Sequence, residues 1–314
     1  MKNNSNLRAF SLIEISIVVL IIGILVAGVT QSSRLILQSK LSNAKTLTQS
    51  SPVASIKNLA LWIEATSTAS FDSSADNALT ISNWYDINPQ NPNKANFTTG
   101  VSPTYYSNII NGLPAVKFDG ATTYLTSANF SNISSASASV FLVVKLPSTL
   151  AAQSVFSNRP SAAFGASAPN IQVSTSSTST TGWQYCDAAA IVTSGTNCNY
   201  SASSVSIATS SSYIVSIIYT ANSVSGAGTT TSTGYNFFQN GAGAGYGATT
   251  SSPNTSVTSG LMVVGKDGTT APSYFGGYLG ELVIFDRALK KEERQSVESY
   301  LGQKWGISMT VANY

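Results

Sequence analysis

The chain has no histidine in its 314 residues. That absence removes the Ser-His-Asp triad, cysteine–histidine nucleophiles, histidine general bases and every zinc site that uses an imidazole. Charge is scarce as well. Asp, Glu, Lys and Arg make up 9% of the residues, against about 25% in an ordinary soluble domain. Ser, Thr, Asn, Gly and Ala must therefore cover the surface, which is the composition of a secreted protein. The 16 Lys and Arg exceed the 13 Asp and Glu by 3, and they are too scattered to make the footprint a duplex requires. No nucleic-acid partner is expected. Cysteine is limited to Cys186 and Cys198, and two thiols without histidine cannot complete an ordinary structural zinc site. Outside the cytoplasm the pair is expected to be bridged, and closing a loop of about 13 residues contributes on the order of 3 kcal/mol.

What is present begins with a polar leader at residues 1–9 carrying Lys2 and Arg8, followed from Phe10 by FSLIEISIVVLIIGILVAGV, in which Glu14 is the one charge. About 20 residues at 1.5 Å each cross the roughly 30 Å hydrocarbon core of a bilayer. The sequence after this run, AGVTQSS, is a poor signal-peptidase site. Helical spacing continues instead through Leu37, Leu41, Ala44 and Thr48, and no proline occurs before Pro52. One helix from Phe10 to about Gln49 is predicted. Glu14 is a functional candidate by position, because a carboxylate deep in a membrane helix costs on the order of 3 kcal/mol and needs a partner.

The string Ala9-Phe10-Ser11-Leu12-Ile13-Glu14 before an apolar run resembles the class III leader and first helix of type IV pilins and of type II secretion pseudopilins. The resemblance covers about the first 50 residues. It implies that a prepilin peptidase cuts between Ala9 and Phe10, that Phe10 becomes the N-methylated first residue, and that Glu14 pairs with the terminal amine of a neighbouring subunit. An amine and a carboxylate about 4 Å apart attract by roughly 4 kcal/mol at an effective dielectric of 20, enough to offset the insertion cost. Ala9 stands where the family usually has glycine. The expected organisation is a leader at 1–9, a pilin-like helix at 10–52 and a large domain at 53–314.

Beyond Pro52 the pattern changes to short apolar runs, such as 140–146, 213–219 and 281–285, separated by Ser/Thr/Gly/Asn clusters. These are strand signals, and Asn240-Gly241 is a hairpin dipeptide. The fold class predicted is mainly β, a sandwich or jelly roll, with an amphipathic helix near 289–303. Three blocks then carry a second resemblance. They are Leu61-Trp62-Ile63-Glu64-Ala65 with Ser82-Asn83-Trp84-Tyr85-Asp86, the stretch Asn111-Gly112-Leu113-Pro114-Ala115-Val116-Lys117-Phe118-Asp119-Gly120, and Gly280-Glu281-Leu282-Val283-Ile284-Phe285-Asp286-Arg287 followed by Tyr300-Leu301 and Lys304-Trp305-Gly306. Together they resemble the laminin-G-like, concanavalin A-like domains of bacterial surface proteins.

Concanavalin A-like folds include glycosidases, which need two carboxylates about 5 to 9 Å apart. The closely spaced acidic motif of that branch is absent, and Glu292, Glu293 and Glu298 cluster only on the predicted helix beside Lys290, Lys291 and Arg294, as a solvated face would. The expectation is therefore that the chain is not an enzyme. The laminin-G resemblance raises calcium as the candidate cofactor, with Asp86, Asp119 and Glu281 as ligands, although turn or strand-end hydrogen bonds explain the same carboxylates. Any of Trp84, Trp183, Tyr105, Tyr106, Tyr185 and Tyr246 that is exposed offers stacking to a carbohydrate or host-surface ligand, while most of these rings are expected in the core. The function expected from the two resemblances is a minor or tip subunit of a type IV filament with a lectin-like adhesive head. It would be a single-pass inner-membrane protein before assembly and extracellular afterwards, with prepilin peptidase and other pilin subunits as partners. The alternatives are a type II secretion pseudopilin and a pilin-anchored glycan-processing enzyme.

Overall fold

A computed structural model describes residues 11–72, 77–130, 137–149, 153–157, 172–175, 183–186, 198–200, 207–224, 231–249, 260–266 and 273–310. The apolar run and the amphipathic stretch after it form one helix, α1 (Leu12–Gln49, 38 residues), about 57 Å long at 1.5 Å per residue. Its apolar window has a mean hydropathy of 2.9 and none of it is buried. The helix is therefore long and apolar enough to cross a membrane. Packing begins only in its last turns, where Ala44 and Thr48 are buried and Leu37 and Leu41 partly so. These are the residues whose spacing marked the amphipathic half. Ser50 closes the helix and Pro52 opens a short 3-10 turn.

The rest is a two-sheet β-sandwich of the expected concanavalin A-like class. Among the described residues the first sheet has nine strands, in the order Ala242–Thr249, Thr231–Gln239, Ser212–Val224, Ser137–Lys145, Tyr278–Phe285, Leu113–Lys117, Thr104–Ile110 and Leu79–Thr80, with Leu59–Glu64 also pairing along Tyr278–Phe285. The second has eight: Cys198–Tyr200, Trp183–Cys186, Gln172–Thr175, Gln153–Ser157, Gly260–Val264, Tyr124–Phe130, Phe97–Val101 and Asn83–Trp84. All pairs among the described residues are antiparallel. The Asn240-Gly241 turn forms as its sequence predicts, with φ of 50° and 76°, the twist a two-residue hairpin needs.

Alternation along the strands sends side chains into two cores. Trp84, Phe97, Phe118, Phe156 and Phe275 fill the space between the sheets. Phe141, Phe285, Val297, Leu301 and Trp305 form a second core on the outer face of the nine-stranded sheet, roofed by α2 (Lys291–Trp305) and by the end of α1. Each fully buried large apolar side chain contributes about 1.5–3 kcal/mol. The strand carrying Gly280 passes directly beneath Trp305: a Cβ there would lie 2.7 Å from the indole ring, so only glycine lets the helix sit down on the sheet.

One sequence expectation about α2 is corrected. Arg294 and Glu298 do pair at i,i+4, at 2.7 Å, but the pair is buried, with the guanidinium 3.6 Å above the Phe238 ring. Arg294 and Glu298 therefore face the sheet, the guanidinium stacks on an aromatic ring, and the solvated-face account does not hold for them. Glu293 behaves differently. It holds Arg287 with two bonds of 2.6 and 2.7 Å and accepts the Lys290 N–H at 3.0 Å, capping the helix.

Candidate functional site

The first and third of the sequence blocks that carry the second resemblance converge on one buried cluster. Glu64 and Glu281 are opposite each other on neighbouring antiparallel strands, an arrangement that is repulsive unless a cation intervenes. Lys304 of α2 supplies it, its ammonium donating to Glu64 Oε2 at 3.0 Å and to Glu281 Oε2 at 2.8 Å. Both oxygens of Glu281 are otherwise taken: Trp62 Nε1 and the Tyr300 hydroxyl donate to Oε1 at 2.8 and 2.9 Å, and Trp305 Nε1 donates to Oε2 at 2.8 Å. Glu64 Oε2 also accepts the N–H and hydroxyl of Thr66. Side chains of the triad have no exposed surface. The Thr48 hydroxyl of α1 stands 3.5 Å from the Tyr300 hydroxyl, so the cluster also touches the stalk. Burial, together with the Glu281 and Glu64 charges, pushes the Tyr300 phenol well above its ordinary range. Sequence reading named all three charged residues without pairing them, because 217 positions separate the two glutamates. The only signal was that each lay in a block with a buried tryptophan beside it.

An open site lies at one end of the sandwich. A cleft of about 640 Å³ is walled by the segment 117–120, the segment 145–149, Gln153, Ser210 and the segment 276–278. Its loops are tied across the two sheets: Phe118 N donates to Gly277 O at 2.8 Å, Gly120 N to Phe275 O at 3.0 Å, and Gly276 N to Gln153 Oε1 at 2.8 Å. Register places Tyr278 directly between Lys117 and Lys145 on the two flanking strands. Their side chains therefore share the outer face, the one occupied further along by Ala115 and Val143. Tyr106 packs edge-on against Tyr278 with ring centroids 6.2 Å apart. Lys117 Nζ is 5.8 Å from the Tyr106 ring, and Lys145 Nζ donates to Ile109 O at 3.2 Å. A half-buried tyrosine, two lysines and loop hydroxyls line one concave surface, a set of residues that can stack on and hydrogen-bond a polar ring compound.

The candidate calcium ligands are not brought together. Asp86 is buried and accepts the N–H groups of Trp62, Asn88 and Ala95; burial raises its pKa. Asp119 lines the cleft but serves its own loop, accepting from Ala121, Thr122 and Thr123. Partial burial opposes ionisation there, yet the Thr122 hydroxyl and these N–H groups hold the carboxyl well below the usual range. Glu281 belongs to the Lys304 cluster. Among the described residues no three acidic, cysteine or histidine side chains converge, and the calcium set is withdrawn on that geometry.

Ala9 and Phe10 lie outside the described residues. Glu14 accepts the Ser11 N–H at 2.8 Å, so it caps the start of its own helix. Cys186 and Cys198 are direct partners across the hairpin of Trp183–Cys186 and Cys198–Tyr200. Of the rings singled out for stacking, Trp84, Trp183 and Tyr105 are buried, Tyr106 is half-buried beside the cleft, and the side chains of Tyr185 and Tyr246 lie outside the described ones.

No family profile matches the chain, and no curated protein matches it. Solved structures do. An arabinofuranosidase in complex with arabinofuranosyl-α-1,2-xylobiose superposes with a TM-score of 0.50 at 14% identity, over 72% of this chain and 51% of its own. A GH54 α-L-arabinofuranosidase soaked with a cyclic sulfate inhibitor gives 0.50 at 12% identity, with the same coverage. The binding domain of botulinum neurotoxin serotype D/C gives 0.50 at 10% identity, over 78% of this chain and 52% of its own. This chain spans about half the length of each of these three. The likeness establishes the β-sandwich fold. It also corrects one expectation: the prediction that the chain is not an enzyme rested on a missing acidic motif, and the sandwich proves to be shared with chains of two glycoside hydrolases. The missing motif does not separate this fold from hydrolytic ones.

Proposed function

We propose that the chain is a pilin-like subunit whose α1 sits in the inner membrane before assembly and in a filament core afterwards, and whose β-sandwich head binds carbohydrate at the end cleft. The observation that carries this reading is the division of α1. From Leu12 to Ile36 its described side chains are all exposed and mostly apolar, with Glu14 as the only acidic group, whereas Leu37 to Thr48 dock on the head. A helix half left bare needs lipid or other helices around it. Removal of the leader at Ala9-Phe10 would free an amine near Glu14 and give that carboxylate its intersubunit partner. Carbohydrate as the ligand class is supported by the Tyr278 cleft and by the arabinofuranosidases that share the fold.

The test has two arms in cells that assemble type IV filaments. The wild-type chain is expected in the sheared surface fraction, while Glu14→Leu leaves it in the membrane at unchanged amount; wild type confined to the membrane would refute the assembly role. For the head, the full chain in nanodiscs is assayed on a glycan panel for binding and for turnover. Binding lost on Tyr278→Ala supports the cleft, and no binding to any glycan removes it. Turnover abolished by a single carboxylate substitution would assign the head to glycan processing.

A further inference from the structure

Two features of the cleft go beyond carbohydrate binding in general. The row Lys117–Tyr278–Lys145 is set by backbone register on adjacent strands, so the two lysines leave the sheet on either side of Tyr278, and their ammonium groups lie near the Tyr106 ring and at Ile109 O. Strands about 4.8 Å apart put their Cα atoms roughly 10 Å from each other. The charge between them is unbalanced. Among the described residues Asp119 is the only carboxylate lining the cleft, and both of its oxygens are engaged by Ala121, Thr122 and Thr123. Among the described residues neither lysine forms an ion pair; Lys145 donates to a carbonyl and Lys117 stands near the Tyr106 ring. In a chain with 9% charged residues, two lysines against one carboxylate among the described residues of this cleft leave a local excess of positive charge. Concave walls focus such a field.

We infer that the cleft selects an acidic saccharide, carrying a carboxylate or sulfate group, whose sugar ring lies against Tyr278 while its anionic group is held by Lys117 and Lys145. This rests on the carbohydrate-binding reading and narrows it. Lysine suits the role because its compact ammonium acts as a point charge for either anion without demanding the bidentate geometry of a guanidinium. An anion bound in this way is screened by salt.

The full chain in nanodiscs is titrated with three galactose-based probes: an oligogalacturonate, a sulfated galactan oligosaccharide and a neutral galacto-oligosaccharide. The expected result is binding of at least one acidic probe tenfold or more tighter than the neutral one, weakening as salt rises. The ratio between the two acidic probes then says which anion is preferred. Lys117→Gln/Lys145→Gln should remove that advantage, Lys117→Arg/Lys145→Arg should keep most of it, and Lys290→Gln/Lys291→Gln on α2 should leave it unchanged. Neutral and acidic probes bound equally would overturn the inference while leaving carbohydrate binding intact. So would an equal loss in the α2 variant, which would mean nonspecific attraction of polyanions. Binding of no glycan at all would remove the carbohydrate reading itself.

Discussion

Lys304 shows how much one side chain has to hold. It lies between two carboxylates that the sheet register forces to face each other, and it has no exposed surface with which to lose them to water. Replacing it with Met leaves two buried acids opposed. Breaking a buried pair in this way costs about 3–5 kcal/mol, and chemical denaturation of the detergent-solubilised chain should show a loss of that size; a change below about 1 kcal/mol would mean the cluster is peripheral to stability. Glu293 makes the opposite case. The Arg287 guanidinium, and behind it the Lys290 N–H, hold its pKa down at about 2, against roughly 4.3 in an unfolded chain. Its stabilisation is thus complete above the unfolded value and lost as pH falls toward 2. The pair is partly exposed, so the expected cost of Glu293→Gln at neutral pH is about 1 kcal/mol. Denaturation midpoints measured from pH 7 to pH 2 should converge for the two proteins at the acid end; a constant gap would contradict the assignment.

Elements were legible where their period was unbroken. Leu37, Leu41, Ala44 and Thr48 marked the face of α1 that docks, and the Asn240-Gly241 turn fixed a hairpin, because each depends on local geometry alone. The second helix was found within two residues of its ends, but the polarity of Arg294 and Glu298 hid the fact that they face the sheet. Burial of a charged pair depends on what lies across the gap, here Phe238 from a strand some 56 residues away. The cleft was invisible for the same reason. Lys117, Lys145 and Tyr278 come from three strands far apart in sequence, and only register makes them neighbours. The cysteine pair tests that register directly. Opposed residues on antiparallel strands lie within the Cα separation a disulfide spans, so Cys186 and Cys198 should resist alkylation until reduced. Peptide mass mapping that finds both alkylated without reductant would contradict the bridge.

At the scale of the molecule, the stalk and the head are joined through one continuous packing surface. The Lys40 ammonium of α1 donates to Asn111 O at 3.0 Å, and the Asn111 amide in turn donates to the carbonyls of Trp305 and Gly306 at 3.0 and 2.9 Å. Thr48 meets Tyr300 at the Lys304 cluster. The sandwich is therefore attached to the C-terminal half of α1, and the N-terminal half is left bare. That arrangement suits a subunit that presents a binding surface from a filament. It stands on α1 being the mature N-terminal segment, beginning at Phe10. The most direct test is N-terminal peptide mass spectrometry on protein sheared from the cell surface. The account predicts a mature chain starting at N-methylated Phe10 in that fraction. A chain still beginning at Met1 and found only in membranes would contradict it, leaving a sandwich domain on a simple anchor and no assembly role for Glu14.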